Sequence, residues 1–159
     1  MEYVSPKHVV AVGALVQNES GEVLLVRTHW RSDTWEMPGG CVEAGEPLDA
    51  AVTREVWEET GIVIRPLGVT GVYYNATKQV LVVVFQAEYV SGDIRIQPEE
   101  IAEAGYIGLN ESNIGDYITR PQQRSRTLDA MKAKVLVPYE TWEVNPAYSL
   151  LSRLQNGGG

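Results

Sequence analysis

The run GCVEAGEPLDAAVTREVWEETGI, from Gly40 to Ile62, constrains this chain more than any other stretch. It places Glu55, Glu58 and Glu59 at i, i+3 and i+4, a spacing that an α-helix stacks on one face. Like charges so placed repel. Between Cys41 and Ile62 the only basic residue is Arg54, set against those three and Glu43, Glu46 and Asp49. A bound cation is the usual remedy for such a cluster, and carboxylate oxygens suit hard ions such as Mg²⁺ or Mn²⁺. Leu48, Val52 and Val56 run beside the acids as an apolar stripe. The spacing therefore predicts a helix whose carboxylates sit at the rim of a core rather than out in solvent. Pro47 suits its first turn, Asp49 its positive end, and Gly61 a left-handed stop.

The same segment resembles the signature of the Nudix hydrolases at every specified place. Gly40, Glu46, Arg54, Glu55, Val56, Glu58, Glu59, Gly61 and Ile62 fill it without departure. The likeness is close over the signature and looser from about Lys7 to about Leu109. It implies an α/β/α sandwich with a central mixed sheet and the signature loop-helix beside it. It also implies metal-dependent hydrolysis of a nucleoside diphosphate linked to another group, of a nucleotide-sanitising or housekeeping kind.

The rest of the chain reads as strands interleaved with two or three helices, a single domain over residues 1–155, with a disordered Gly-rich tail at 156–159. His8–Val16 is β-branched and apolar, a strand buried on both faces, and Glu22–Thr28 is its hairpin partner across an Asn-Glu-Ser-Gly turn. Pro38, Gly39 and Gly40 form a loop. Val63–Tyr74 and Lys78–Val90 make a second strand pair around Asn75-Ala76-Thr77, a short turn falls within Gln97–Ala104, and Gly105–Leu109 is another strand. Thr127–Val135 reads as a helix and Trp142–Leu154 as a weaker one.

A net charge of −8 with no basic run argues against a nucleic-acid surface, and no apolar run is long enough to span a membrane. The N-terminus lacks the pattern of a signal peptide, and the one cysteine, Cys41, suits a reducing compartment. A cytoplasmic protein is the expectation. Cys41 itself reads as a small loop residue. The apolar strands leave room for a homodimer, the state of many proteins with this signature.

The chemistry divides among a few side chains. Glu55, Glu58 and Glu59 are the metal ligands, joined by a backbone carbonyl of Gly39 or Gly40, as the resemblance implies. Arg54 has a fork of donors suited to carboxylates, and the resemblance assigns it the task of orienting the signature glutamates, with Glu46 as structural partner. The general base is either a signature glutamate, Glu55 first, or a carboxylate of a later loop, Glu100 or Glu103. Arg27 and Arg31, near the loop, are candidates to hold phosphates, and Trp35, Tyr73 and Tyr74 to stack on a base, with Tyr106 a further ring; a plain surface arginine is the competing account for the first two and core packing for the aromatics. Arg120, Arg124 and Arg126, around Pro121, form a small basic cluster that reads as a solvated helix entry, with contact to substrate phosphate the alternative. Substrate subgroup markers are missing: Thr77 stands where ADP-ribose enzymes carry proline, Gln79 and Val80 where dinucleoside polyphosphate enzymes carry tyrosine. Two other classes share the fold. A catalytically silent nucleotide-sensing module usually loses signature glutamates, all of which are present here. An isoprenoid diphosphate isomerase needs its own catalytic cysteine and a modified signature.

Overall fold

The computed structural model describes residues 2–155 and holds eight strands and three helices among them. The strands are β1 (Val9–Gln17), β2 (Val23–Thr28), β3 (Gly39–Cys41), β4 (Val63–Asn75), β5 (Val80–Ser91), β6 (Ile101–Ile107), β7 (Tyr139–Glu143) and β8 (Ser149–Leu154). The helices are α1 (Leu48–Thr60), α2 (Ile114–Tyr117) and α3 (Pro121–Lys132). The main sheet runs β4-β5-β1-β2-β6, with β3 paired to β1; only β1 and β5 are parallel. It is a mixed sheet, as read from the sequence.

Alternation along the central strands explains the layering, because successive side chains point to opposite faces. Val12, Ala14, Val16, Leu24, Val83 and Phe85 face one side, where Ala51, Val52 and Val56 of α1 close a core. Leu15, Val23, Leu25 and Val84 face the other, where Ile114 of α2, Ile118 just after it and Ala130 of α3 cover them. With both faces covered, near-continuous apolar strands are what this arrangement requires.

β1 and β2 form a hairpin only at its root. Their registered pair is Gln17 opposite Val23, after which the strands part. The segment 36–41 fills the gap: Glu36 exchanges backbone hydrogen bonds with Val26 of β2 at 2.8 and 2.9 Å, while Gly39, Gly40 and Cys41 pair with Gly13, Val12 and Ala11 of β1. Gly39-Gly40 is thus a short strand rather than a loop, and its glycines are needed for close approach, not for positive φ. A Cβ on Gly39 would lie 2.1 Å from the carbonyl oxygen of Val12.

Helix α1 runs as the spacing predicts, from an N-cap at Pro47 to Gly61 at φ 75°. Three other expectations are corrected. The strand expected at Gly105–Leu109 runs instead from Ile101 to Ile107, directly after the short turn expected within Gln97–Ala104, which falls at 98–100; it pairs with β2, Glu103 opposite Arg27, so an ion pair compensates its weak apolar alternation. The helix expected from Thr127 starts at Pro121, whose fixed φ suits a first turn; that turn is polar and showed no apolar period. Trp142–Leu154 is no helix but part of the β7–β8 hairpin. Pro146 falls in mid-run, where a helix would lose a donor and clash. The hairpin packs on the α1 side through Tyr139 and Leu154, and the tail at 156–159 lies outside the described residues.

Candidate functional site

The open first turn of α1 needs outside acceptors for its N–H groups. Tyr139 of β7 supplies one: its hydroxyl oxygen accepts from the Leu48 N–H at 3.0 Å, and Ser152 of β8 donates to Asp49. The helix so held carries its acids toward β3. Arg54 gathers three of them. It meets Glu46 through two bonds of 2.7 and 2.9 Å, Glu55 at 3.0 Å and Glu58 at 3.1 Å, and it also reaches the carbonyl of Cys41. Glu59 stands apart. It is buried, 5% exposed, and accepts the Gly39 N–H at 2.7 Å.

Burial, against the pull of that single N–H, pushes the Glu59 carboxyl up to about 8, and the nearby charges of Glu55, Glu36 and Glu100 add to the effect. Burial likewise raises Glu55 despite Arg54 beside it. These are the marks of carboxylates short of positive charge. The Glu55 carboxylate lies against Gly40, where a Cβ would come within 2.6 Å of it. Among the described residues no three acidic, histidine or cysteine side chains converge closely enough to hold an ion as they stand. Glu55 and Glu58 turn toward Arg54 while Glu59 turns toward Gly39. The donor set nevertheless fits a hard divalent cation, since three carboxylates and a glycine backbone share one small region, and Glu59 has no cation among its hydrogen-bond partners.

Of the two later acids, Glu100 lies close enough to Glu55 and Glu59 to raise both, whereas Glu103 is engaged by Arg27 across β2 and β6. The two do not share a helical turn, because Glu103 sits on a strand. Arg27 is therefore tied up. Arg31 grips Glu36 through two bonds of 2.7 and 2.8 Å, half-buried, within the field of Glu59. Trp35 is partly buried and packs against the second core. Tyr73 lies partly in that core with its hydroxyl donating to Asp129 at 2.7 Å, Tyr74 is exposed, and Tyr106 packs on the first core.

A cavity of about 200 Å³ opens beside the glycines, lined by Gly39, Gly40, Arg31, Lys78, Arg120 and Arg126 among others. Arg120, at the N-cap of α3, and Arg126 on that helix also line this recess. Arg124 instead braces α2, reaching the carbonyl of Ile118 at 3.4 Å. The loop carrying Arg31 is fastened to the start of α3: Trp35 N–H bonds to Tyr117, Thr34 Oγ1 accepts from Thr119 N–H, and Arg120 pairs with Asp33. Sequence reasoning missed Glu36 and Lys78. Glu36 is a lone acid among Trp35, Met37 and Pro38, a signal for a buried charge; Lys78 in its polar turn carries none. A larger cavity of about 820 Å³ lies at the far end of β1, near Gln17 and Tyr106, and contains none of the signature carboxylates.

A family model described as the NUDIX domain matches residues 7–128. The chain is 41% identical over 99 residues to a MutT-like protein of Streptomyces ambofaciens, covering 61% of this chain and 62% of that one. It is 36% identical over 103 residues to the NAD-capped RNA hydrolase NudC of Escherichia coli, covering 65% and 38%. The chain thus spans less than two thirds of the length of these curated relatives. Among solved structures, a MutT protein from Methanosarcina mazei Go1 superposes with a TM-score of 0.64 at 34% identity, covering 79% of this chain and 94% of that one.

Proposed function

This chain belongs to the NUDIX domain family, and we propose that it hydrolyses the phosphoric anhydride of a nucleoside diphosphate linked to another group, at the junction of α1 and β3. The observation that carries the reading is Glu59: a buried carboxyl with one N–H partner and three acids nearby is pushed up to about 8, and a cation bound beside it is what would let it ionise at neutral pH. Glu55, Glu58 and Glu59, with a carbonyl of Gly39 or Gly40, would hold Mg²⁺ or Mn²⁺. When bound, such an ion screens the diphosphate and lowers the pKa of water.

The chain's own groups do the rest. Arg54 fixes the rotamers of Glu55 and Glu58 and so limits where their oxygens can reach. Glu100 takes a proton from the attacking water as its oxygen bonds to one phosphorus. The bridging P–O bond breaks, and the second phosphate leaves with the bridging oxygen. Arg31, rigid against Glu36, presents positive charge at the cavity wall. The NudC relative, named as a hydrolase of NAD-capped RNA, supports a nucleotide-derived substrate. No helix among the described residues is long and apolar enough to cross a membrane.

The test is a hydrolysis screen with Mg²⁺ or Mn²⁺ and a chelator control, over nucleoside triphosphates, oxidised nucleotides, ADP-ribose, nucleotide sugars and dinucleoside polyphosphates. Metal-dependent cleavage with products identified by mass is the expected result. Folded, metal-binding protein that cleaves none of them would favour the nucleotide-sensing module instead.

A further inference from the structure

The cavity beside Gly39 and Gly40 does not end at Arg31. It continues into a second recess of about 410 Å³ around the β4–β5 turn, the two sharing Asn75, Lys78, Gln122 and Arg126. A groove therefore leads from the signature backbone toward α3, and its far wall is basic.

Arg126 is the centre of that wall. Its guanidinium carbon lies 5.5 Å from the centroid of the Tyr73 ring, which holds the planar group in one orientation. Gly71 makes this posture of the ring possible, since a Cβ there would fall 2.3 Å from the Tyr73 hydroxyl. Asp129, one helical turn along, is the carboxylate best placed in sequence to neutralise Arg126, but it accepts the Tyr73 hydroxyl and forms no ion pair with the arginine. Among the described residues neither Arg126 nor Lys78 is in a salt bridge. Arg120 is in one, with exposed Asp33. Burial, only slightly offset by Tyr73, lowers the Arg126 pKa, as expected of a cation removed from water without an anion to replace it.

In a chain of net charge −8, two unpaired cations and a third at the rim of one groove call for an anionic ligand. We propose that Arg126, held on Tyr73 and flanked by Lys78 and Arg120, is a specificity-determining residue that binds a phosphate of the substrate beyond the anhydride attacked. As to substrate class, this rests on the hydrolase reading above. The favoured substrate is then one whose departing group ends in a free phosphate, and one ending in a neutral sugar is disfavoured.

Calorimetric titration of the full chain with inorganic tripolyphosphate, divalent metal chelated, reads the groove without turnover. Arg126→Gln weakens binding about ten- to a hundredfold, the loss expected for one charged hydrogen-bonding group, and Arg126→Lys restores part of it. Lys78→Gln, on an exposed turn where no packing is lost, weakens it by a smaller factor. Affinities unchanged in both glutamine variants, or no binding by the parent protein, overturn the assignment. In turnover, Arg126→Gln lowers the ratio of kcat/KM for a nucleoside triphosphate over that for a nucleotide sugar, through KM. An equal loss on both substrates also overturns it. Tripolyphosphate held through Arg126 by a protein that hydrolyses nothing sinks the hydrolase reading and leaves the anion subsite standing.

Discussion

Glu59 keeps a carboxylate where water does not reach, and its neighbours make that position worse rather than better. Glu59→Gln retains the shape and the acceptor for Gly39 N–H while removing the charge. We expect turnover to fall on the order of a hundredfold or more, as for loss of a group that holds a metal, with a melting temperature equal to or above the parent's. Full activity in that variant would remove Glu59 from the site. The two glycines separate space from chemistry. Gly39→Ala drives a Cβ into the Val12 carbonyl and should cost about 1–3 kcal/mol in denaturant unfolding, the range for overpacking. Gly40→Ala meets only the movable end of Glu55, so it should leave the midpoint nearly unchanged and lower metal-dependent turnover instead.

Helix α1 is anchored at its start by an element distant in sequence. Removing the Tyr139 hydroxyl with Tyr139→Phe leaves Leu48 N–H without its partner and should cost about 1 kcal/mol, read as an earlier urea midpoint, with the carboxylates otherwise in place. Helix α1 was the most legible element, because an apolar stripe, an acidic face, Pro47 and Gly61 all agree. Strands β4 and β5 were legible from their β-branched runs. Helix α3 was not, since its first turn is Pro-Gln-Gln-Arg with no period to read, and β7–β8 was misread because apolar residues at mixed spacing concealed Pro146. Within the site, the signature acids were visible from their spacing. The Arg31–Glu36 pair is local, five residues apart, but the convergence of Lys78 with Arg126 depends on the β4–β5 turn meeting α3, which no local pattern encodes.

Across the molecule, of net charge −8, two cations without a salt bridge, Lys78 and Arg126, line the cavity that reaches the glycines, and the buried Glu59 stands beside those glycines. A divalent cation joins the two by cancelling charge on the acids that would otherwise repel a phosphate. Binding to the folded state alone should therefore stabilise the whole domain. At a hundredfold excess over Kd the gain is about 2.7 kcal/mol. For a domain of this size that is about 5–10 °C in Tm, abolished by chelator and absent in Glu59→Gln. An equal melting temperature with and without Mg²⁺ and Mn²⁺ would argue against the site.

The parting of β1 from β2 has one more consequence. Joined at Gln17 and Val23, the two strands could in principle zip together, and every rung gained would expel one residue of the 36–41 segment from its seat. Catalytic competence and continuous pairing are rival occupants of the same seam. The wedge itself keeps that seam open, and a sheet zipped along β1 and β2 would lack the glycine backbone of the proposed site.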